Sequence, residues 1–320
     1  MIAFFEQTPD TLERFCTEHG LKPFAATQLL EWVYGRGVTD PAVMTNLSKA
    51  AREVIAANVI FEQGTLRAHQ SATDGTQKLL LGWPEGPTDA TGGGLPLLGQ
   101  EKQTETVMIP AGSRYTACIS SQVGCPVGCR FCASGLGGLD GNLSTARIVE
   151  QVHRLRPVTP GGRITNIVFM GMGEPLANYA AVTRTIRILH APWAFGISAR
   201  RITVSTVGLP PAIRRLAEFD LPITLALSLH APTDDLRREL IPWSQYTTIA
   251  ELLDACDVYF RATGREITLE YILLGGVNDQ PEHARELARI AGRLRANINL
   301  IRYNEVAGLP YRRPRTEDVH

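Results

Sequence analysis

The stretch ITNIVFMGMGEPLANYAAVTRTIRIL, from Ile164 to Leu189, decides the fold. Residues 164–170 form an apolar, β-branched run of strand length. Gly171-Met172-Gly173-Glu174-Pro175 interrupts it with turn-forming residues, and 179–189 place apolar side chains at helical spacing. The same order of strand, loop and amphipathic helix recurs along the chain. Further strands are expected at 116–121, 201–206, 222–228, 267–274 and 296–301, with helices at 145–156, 211–218, 249–262 and 281–294. Six such units predict an α/β protein with a parallel sheet, either open and doubly wound or a partial barrel. Both architectures gather function on the loops after the carboxyl ends of the strands.

Those loops carry the chemistry-bearing residues. The first strand leads into Gly124-Cys125-Pro126-Val127-Gly128-Cys129-Arg130-Phe131-Cys132, the second into Gly171–Pro175. Thr206-Val207-Gly208, His230-Ala231-Pro232, Gly275-Gly276-Val277-Asn278 and Tyr303-Asn304 follow the other four. One shared site on one rim explains all six. Cys125, Cys129 and Cys132, spaced C-x3-C-x2-C, can converge on one inorganic centre. A structural zinc ion would want a fourth ligand; the nearest histidine, His153, falls in a helical run, and Cys118 lies in the first strand. A [4Fe–4S] cube on three thiolates would leave one iron open, with Phe131 shielding it from water.

Outward from this core, residues 1–58 read as short helices, with Ser48 capping one at 50–57. Residues 59–113 read as a β-rich linker: extended at 59–69, turning at Asp74-Gly75, extended again at 77–81 and 105–109, with a Gly/Pro-rich loop at 84–100. Residues 114–320 form the core domain. Lys+Arg and Asp+Glu are both 32, which excludes a polycationic tail-like protein. The first 110 residues hold 8 basic and 13 acidic side chains, and every basic residue after Lys102 is arginine. Arginine suits phosphate forks and base stacking. No apolar run reaches membrane-spanning length and no secretory signal opens the chain, so a cytoplasmic location with reduced thiols is expected. Cys16 and Cys256 read as small core residues.

The motifs, taken together, identify a resemblance. TETVMIP, CISSQVGCPVGCRFCASG, NIVFMGMGEPLANY, RRITVSTVG, LALSLHAP, LEYILLGGVND and NLIRYNEV resemble, in order, the RlmN/Cfr family of radical S-adenosylmethionine (SAM) RNA adenine methyltransferases. ATQLLEWVYGRG and MTNLSKAAREV extend the likeness to the N-terminal region, and it spans about residues 15–314. The resemblance implies a partial (β/α)6 TIM-type barrel with a small N-terminal helical domain and a short β extension. It implies that Cys125, Cys129 and Cys132 hold a [4Fe–4S] cluster whose fourth iron binds SAM. Gly173, Glu174, Ser205, Ser228, Leu229, His230 and Asn304 match SAM-contacting positions. Glu105 matches the proton acceptor, and Cys118 the thiol that resolves a covalent protein–RNA adduct by disulfide formation.

The implied reaction methylates carbon 2 of adenine in 23S rRNA, at the peptidyl-transferase centre, and in the tRNA anticodon loop. Carbon 8 is the alternative, and an enzyme acting on a small molecule or protein is a more distant one. Flavodoxin or ferredoxin would supply electrons. The chain departs from the family pattern at Gly141 (usually Arg) and Arg302 (usually Pro), and Asp318-Val319-His320 stands before the family's methyl-carrying cysteine. These 320 residues are therefore expected to bind the cluster and cleave SAM without completing transfer, or to act only as an RNA- or metal-binding fragment. RNA-contact candidates are Arg114, Arg130, Arg200, Arg201, Arg302, Arg312, Arg313 and Arg315.

Overall fold

A computed structural model describes residues 1–84 and 101–319. The loop expected at 84–100 therefore lies, beyond Pro84, outside the described residues. The chain opens with β1 (Ile2–Ala3), α1 (Pro9–Glu18), α2 (Phe24–Leu30) and α3 (Lys49–Asn58). Ser48 caps α3, its hydroxyl accepting from Ala51 N at 3.1 Å. Next, β2 (Val59–Ile60) pairs in parallel with β1. This splits the extended segment expected at 59–69. The break has a non-local cause: Gln63 N and Gly64 N, each at 2.9 Å, donate to the carboxylate of Glu150, which lies far along the chain. The strand resumes as β3 (Thr65–Ser71), followed by β4 (Gln77–Trp83) and β5 (Lys102–Ala111) in antiparallel order. The last is longer than the 105–109 read from sequence.

The seam between antiparallel and parallel pairing is β6 (Arg114–Cys118), antiparallel to β5 and parallel to a strand further along the chain, Asn166–Phe169. A small hairpin intervenes, β7 (Gln122–Gly124) with β8 (Leu139–Asn142). Then come α4 (Thr145–Leu155), β9 (Asn166–Phe169), α5 (Tyr179–His190), β10 (Ile202–Thr206), α6 (Pro210–Ala217) and β11 (Thr224–Ser228). The chain continues through α7 (Asp234–Leu240), α8 (Ile249–Thr263), β12 (Ile267–Leu273), α9 (Pro281–Ala291) and β13 (Ala296–Arg302). Of these helices, α7 was not foreseen.

The sheet order is β13-β12-β11-β10-β9-β6-β5-β4-β3. Winding runs one way, with no reversal of order, so the doubly wound alternative is excluded and the crossover helices share one face. Period-2 alternation then divides the strands. Val204, Leu225, Leu227, Leu269 and Tyr271 join the main apolar core with the helices. Ser205, Ser228, Glu270 and Asn299 point to the opposite face. A second core, rich in aromatic residues such as Phe4, Phe5, Tyr34 and Phe61, seats the N-terminal helices on Ala146, Val149 and Ile188 of α4 and α5. Among the described residues no helix is long and apolar enough to cross a membrane.

Candidate active site on the carboxyl rim

The cysteine loop hangs from the β7–β8 hairpin. Gly124 makes the hairpin close: its φ is +71°, and a Cβ there would stand 2.0 Å from the Gly138 carbonyl oxygen. At the far side, Arg130 N donates to the Leu240 carbonyl at 3.0 Å, tying the loop to the end of α7. Cys125, Cys129 and Cys132 thereby line one cavity of about 240 Å³ together with Gly173, Glu174, Ser205, Ser228, His230 and Glu270. Phe131 and Val207 pack beside the thiols.

Burial pushes the Cys125 thiol up to about 11, against hydrogen bonds from the Val127 and Gly173 backbone. Burial raises Cys129 too, and the neighbouring Cys132 and Cys125 add to it. Thiols this close repel as anions, so a group that takes up their charge relieves the strain. Among the described residues no three His, Cys, Asp or Glu side chains converge as tightly as a single metal ion requires. Three cysteine thiols lining one cavity, with no fourth thiol or imidazole ligand of a structural zinc ion beside them in that loop, are the donor type of an iron–sulfur cluster.

Glu174 acts as a latch. Its carboxylate accepts from Leu176 N at 3.0 Å and from Val207 N at 2.8 Å, joining the loop after β9 to the loop after β10. Burial pushes it up to about 7 despite those bonds. Gln122 accepts from Glu174 N at 2.8 Å, and Gly173, at φ +104°, lies so close that a Cβ would meet Gln122 Cβ at 2.6 Å. His230 is the one non-glycine residue with positive φ among those described, at 58°. Its Nδ1 accepts from Ile272 N at 3.1 Å, which leaves the proton on Nε2, and burial pushes the ring down to about 3, so it is neutral. Strain held in place by surrounding bonds is common at functional positions. Ser205 and Ser228 hydroxyls meet at 3.1 Å.

Two expected positions fall elsewhere. Leu229 turns its side chain into the main core and offers only backbone, its N–H donating to the Glu270 carbonyl at 3.1 Å. Asn304 is exposed and is not among the cavity-lining residues. Conversely, Glu270 was missed. It is buried in the cavity wall, accepts from Asn299 Nδ2 at 2.7 Å, and pairs in register with Ser228. Glu105 and Cys118 stand beside the cavity, not in its lining. Cys118 sits opposite Val107, so Glu105 shares its face of the sheet two residues away. Burial pushes the Cys118 thiol up to about 11, and the Glu105 charge adds to it. Lys78 Nζ holds Glu105 at 2.8 Å. Ser120 links both regions, donating to the Glu105 carbonyl at 2.6 Å and accepting from Met172 N at 2.9 Å.

The arginine candidates divide by rim. Arg114, Arg200 and Arg201 lie at the amino ends of β6 and β10, opposite the site. Arg130, Arg302, Arg312 and Arg313 follow strands on the site's side, whereas Arg315 is held by Asp318 and Glu317.

This site on a one-way parallel sheet defines a class. The radical SAM superfamily profile matches residues 119–288, and the chain belongs to that superfamily. The N-terminal domain profile of ribosomal RNA large subunit methyltransferases matches residues 2–60. A relative from Rhodopirellula baltica, "Probable dual-specificity RNA methyltransferase RlmN", is 43% identical over 95% of this chain and 78% of its own length. The "Dual-specificity RNA methyltransferase RlmN" of Bdellovibrio bacteriovorus is 39% identical over 99% of this chain and 76% of its own. The crystal structure of a radical SAM methyltransferase from Sphaerobacter thermophilus superposes with a TM-score of 0.91 at 39% identity, covering 100% of this chain and 90% of that one. Within the superfamily, this chain belongs to the dual-specificity RNA methyltransferase RlmN family.

Proposed function

We propose that this chain binds a [4Fe–4S] cluster and SAM in the rim cavity and serves methylation of adenine carbon 2 in 23S rRNA and in tRNA. The observation that carries the reading is the meeting of three thiols, Glu174 and the serine pair in one cavity, with Glu105 and Cys118 on the adjoining sheet face. Cys125, Cys129 and Cys132 would hold the cluster. When bound, it supplies the electron that opens the SAM sulfonium, giving radical chemistry at a carbon that simple methyl transfer does not reach.

The chain's own groups do the rest. Glu174 and the carbonyls beside Gly173 accept from the SAM ammonium. The Ser205–Ser228 pair and Glu270 offer acceptors to ribose hydroxyls. Phe131 and Val207 keep water from the thiols. Glu105, held by Lys78, would take the proton from the adenine ring, and Cys118 would release the RNA by attacking the sulfur of the covalent adduct and forming a disulfide with the methyl-carrying thiol, which none of the six cysteines of these 320 residues supplies. Cys16 and Cys256 do not supply that second thiol, since both are fully buried in separate cores. Arg130, Arg302, Arg312 and Arg313 contact RNA phosphates. Residues 1–58 act as an accessory domain, 59–113 as a linker bearing Glu105, and 114–320 as the catalytic core, in the cytoplasm with a flavodoxin- or ferredoxin-type donor.

Anaerobic reconstitution tests the cofactor half: brown protein with iron and sulfide, forming 5′-deoxyadenosine from SAM, is expected. A colourless or zinc-only protein inert toward SAM overturns it. Deleting the gene from its own cell tests the product. Loss of 2-methyladenosine from 23S rRNA and tRNA is expected; loss of 8-methyladenosine instead assigns carbon 8.

A further inference from the structure

The loops after β12 and β13 enclose another cavity on the carboxyl rim, of about 320 Å³, whose lining includes Gly275, Gly276, Arg312, Arg313, Arg315 and Asp318. The turn is shaped to receive the arginines. Gly275 N donates to the Arg312 carbonyl at 2.9 Å, and Arg312 Nε donates back to the Gly275 carbonyl at 3.2 Å. A Cβ on Gly275 would stand 2.9 Å from the Arg313 carbonyl oxygen. One on Gly276, whose φ is +75°, would stand 3.0 Å from Arg312 Nη2. The two glycines therefore let the 312–313 backbone and the Arg312 guanidinium lie against the turn. The segment is anchored on both sides: Pro314 is buried, and Tyr311 meets Tyr303 edge to face at 6.3 Å. Both tyrosines join the apolar cluster that holds Val127 and Phe131 of the cysteine loop, so the cavity is fixed to the same cluster as the cluster-binding loop. Nearby carboxylates are already engaged. Asp318, in the lining, gives its two oxygens to Arg315 at 2.8 and 2.9 Å, and Glu317 also pairs with Arg315. Asp279 accepts from Gly276 N and Gln280 Nε2, and Glu305 from Arg313 N. Among the described residues no carboxylate pairs with the guanidinium of Arg312 or Arg313.

We propose that this cavity takes one backbone phosphate of the RNA, shared by Arg312 and Arg313, and thereby sets where the RNA sits on the rim. This rests on RNA being the substrate, and it narrows a set of rim arginines to one pocket. Arg312 is held by its Nε, so its two Nη groups are pre-aimed donors, and the planar fork of Arg313 stands beside them; such forks match the oxygens of a phosphate. Fixing the donors beforehand lowers the ordering cost of binding. A phosphate contact carries no base identity, but it fixes register and orientation, which a site acting on a single adenine requires. Arg315, neutralised by Asp318 and Glu317, is a wall of the cavity and not a ligand.

The test uses the full chain, reconstituted anaerobically, and a fluorescent, unmodified tRNA transcript whose affinity is measured across a series of KCl concentrations. The slope of log affinity against log salt reports the phosphates neutralised. The double variant Arg312→Gln with Arg313→Gln is expected to lose about 0.7–1 unit of slope and to bind roughly five- to tenfold more weakly at ~0.1 M salt. Arg200→Gln removes an exposed arginine from the opposite rim and is expected to leave the slope unchanged. Gly276→Ala removes no charge but crowds Arg312 Nη2, and it is expected to weaken binding in the same direction as the double variant. An unchanged slope in the double variant overturns the proposal, as does an equal loss in Arg200→Gln. A loss near twice the expected one means two phosphates and overturns the shared pocket. If the double variant does not fold, wild-type affinity in Gly276→Ala overturns it. Calorimetric titration with inorganic phosphate separates the other source: binding lost in the double variant while its RNA affinity is unchanged assigns the cavity to a free anion and overturns the proposal. A wild-type chain that binds no RNA defeats the RNA reading and this inference together; a wild type that binds separates the two.

Discussion

Glu150 on α4 and Glu174 on the site rim are both buried, and each carboxylate accepts from two backbone N–H groups. The difference is the cation. Arg154 Nε stands 3.3 Å from Glu150, and its Nη1 also holds Glu62 at 2.9 Å, so that network is complete. Glu174 has two backbone N–H groups and the Thr206 side chain, and no cation pairs with it among the described residues. Burial raises both groups, and pushes Glu174 up to about 7. The same latch thus serves two ends. At Glu150 it fastens the turn before β3 onto the parallel sheet's helices; at Glu174 it joins two loops in the cavity wall.

The largest expected effect lies wholly on the site side. Cys129→Ala should abolish iron and sulfide uptake and SAM cleavage while the chain stays folded, as metal analysis beside circular dichroism will show; an Ala variant that loads fully breaks the contrast. Next comes the structural latch. Glu150→Ala leaves the Gln63 and Gly64 N–H groups without their acceptor and Arg154 held by Glu62 and the Gly64 carbonyl alone, a loss of about 3–5 kcal/mol in denaturant unfolding. Its SAM affinity, measured on the folded fraction, should not change. Glu174→Gln should do the reverse, weakening SAM binding by roughly tenfold or more. Its folded-state value of about 7 lies above the ordinary 4.5. The folded chain therefore binds more protons than the unfolded chain between those values, and ligand-free stability falls as pH rises from about 4.5 to 7. SAM affinity should rise over the same window as the carboxylate ionises. Thermal melts and titrations at pH 5 and 8 will show both slopes, and both should flatten in Glu174→Gln.

Much of this was legible because local pattern and global fold agree. β-Branched runs alternating with amphipathic helices predict the parallel sheet, and glycines at the carboxyl ends mark the rim. What escaped reading depends on distant partners. The helix α7, sequence DDLRREL, offers few apolar residues, and its buried Arg237 reads as a surface charge until three strand-end carbonyls surround it. Glu270 occupies an alternating strand position that normally faces water, yet here that face lines the cavity. The break before β3 follows from Glu150, some 86 residues further along the chain. Leu229 and Asn304 belong to motifs whose spacing is legible, but spacing does not say which way a side chain points.

The smallest effect probes Glu105 against Cys118, a pair outside the cavity wall. Lys78 and Glu105 are substantially exposed, so their ion pair contributes at most about 1 kcal/mol to stability, and Lys78→Met should leave unfolding nearly unchanged. Its electrostatic effect is readable on the thiol. Burial is the main reason Cys118 sits near 11, and Glu105 adds a smaller push in the same direction. Glu105→Gln should move the pH profile of Cys118 alkylation, followed by peptide mass spectrometry, to slightly lower pH. Lys78→Met frees the Glu105 charge from its partner and should move it slightly higher. Opposite signs require the carboxylate to face the thiol across the sheet; identical profiles in all three proteins would place Glu105 too far from Cys118 for the two to share one adenine.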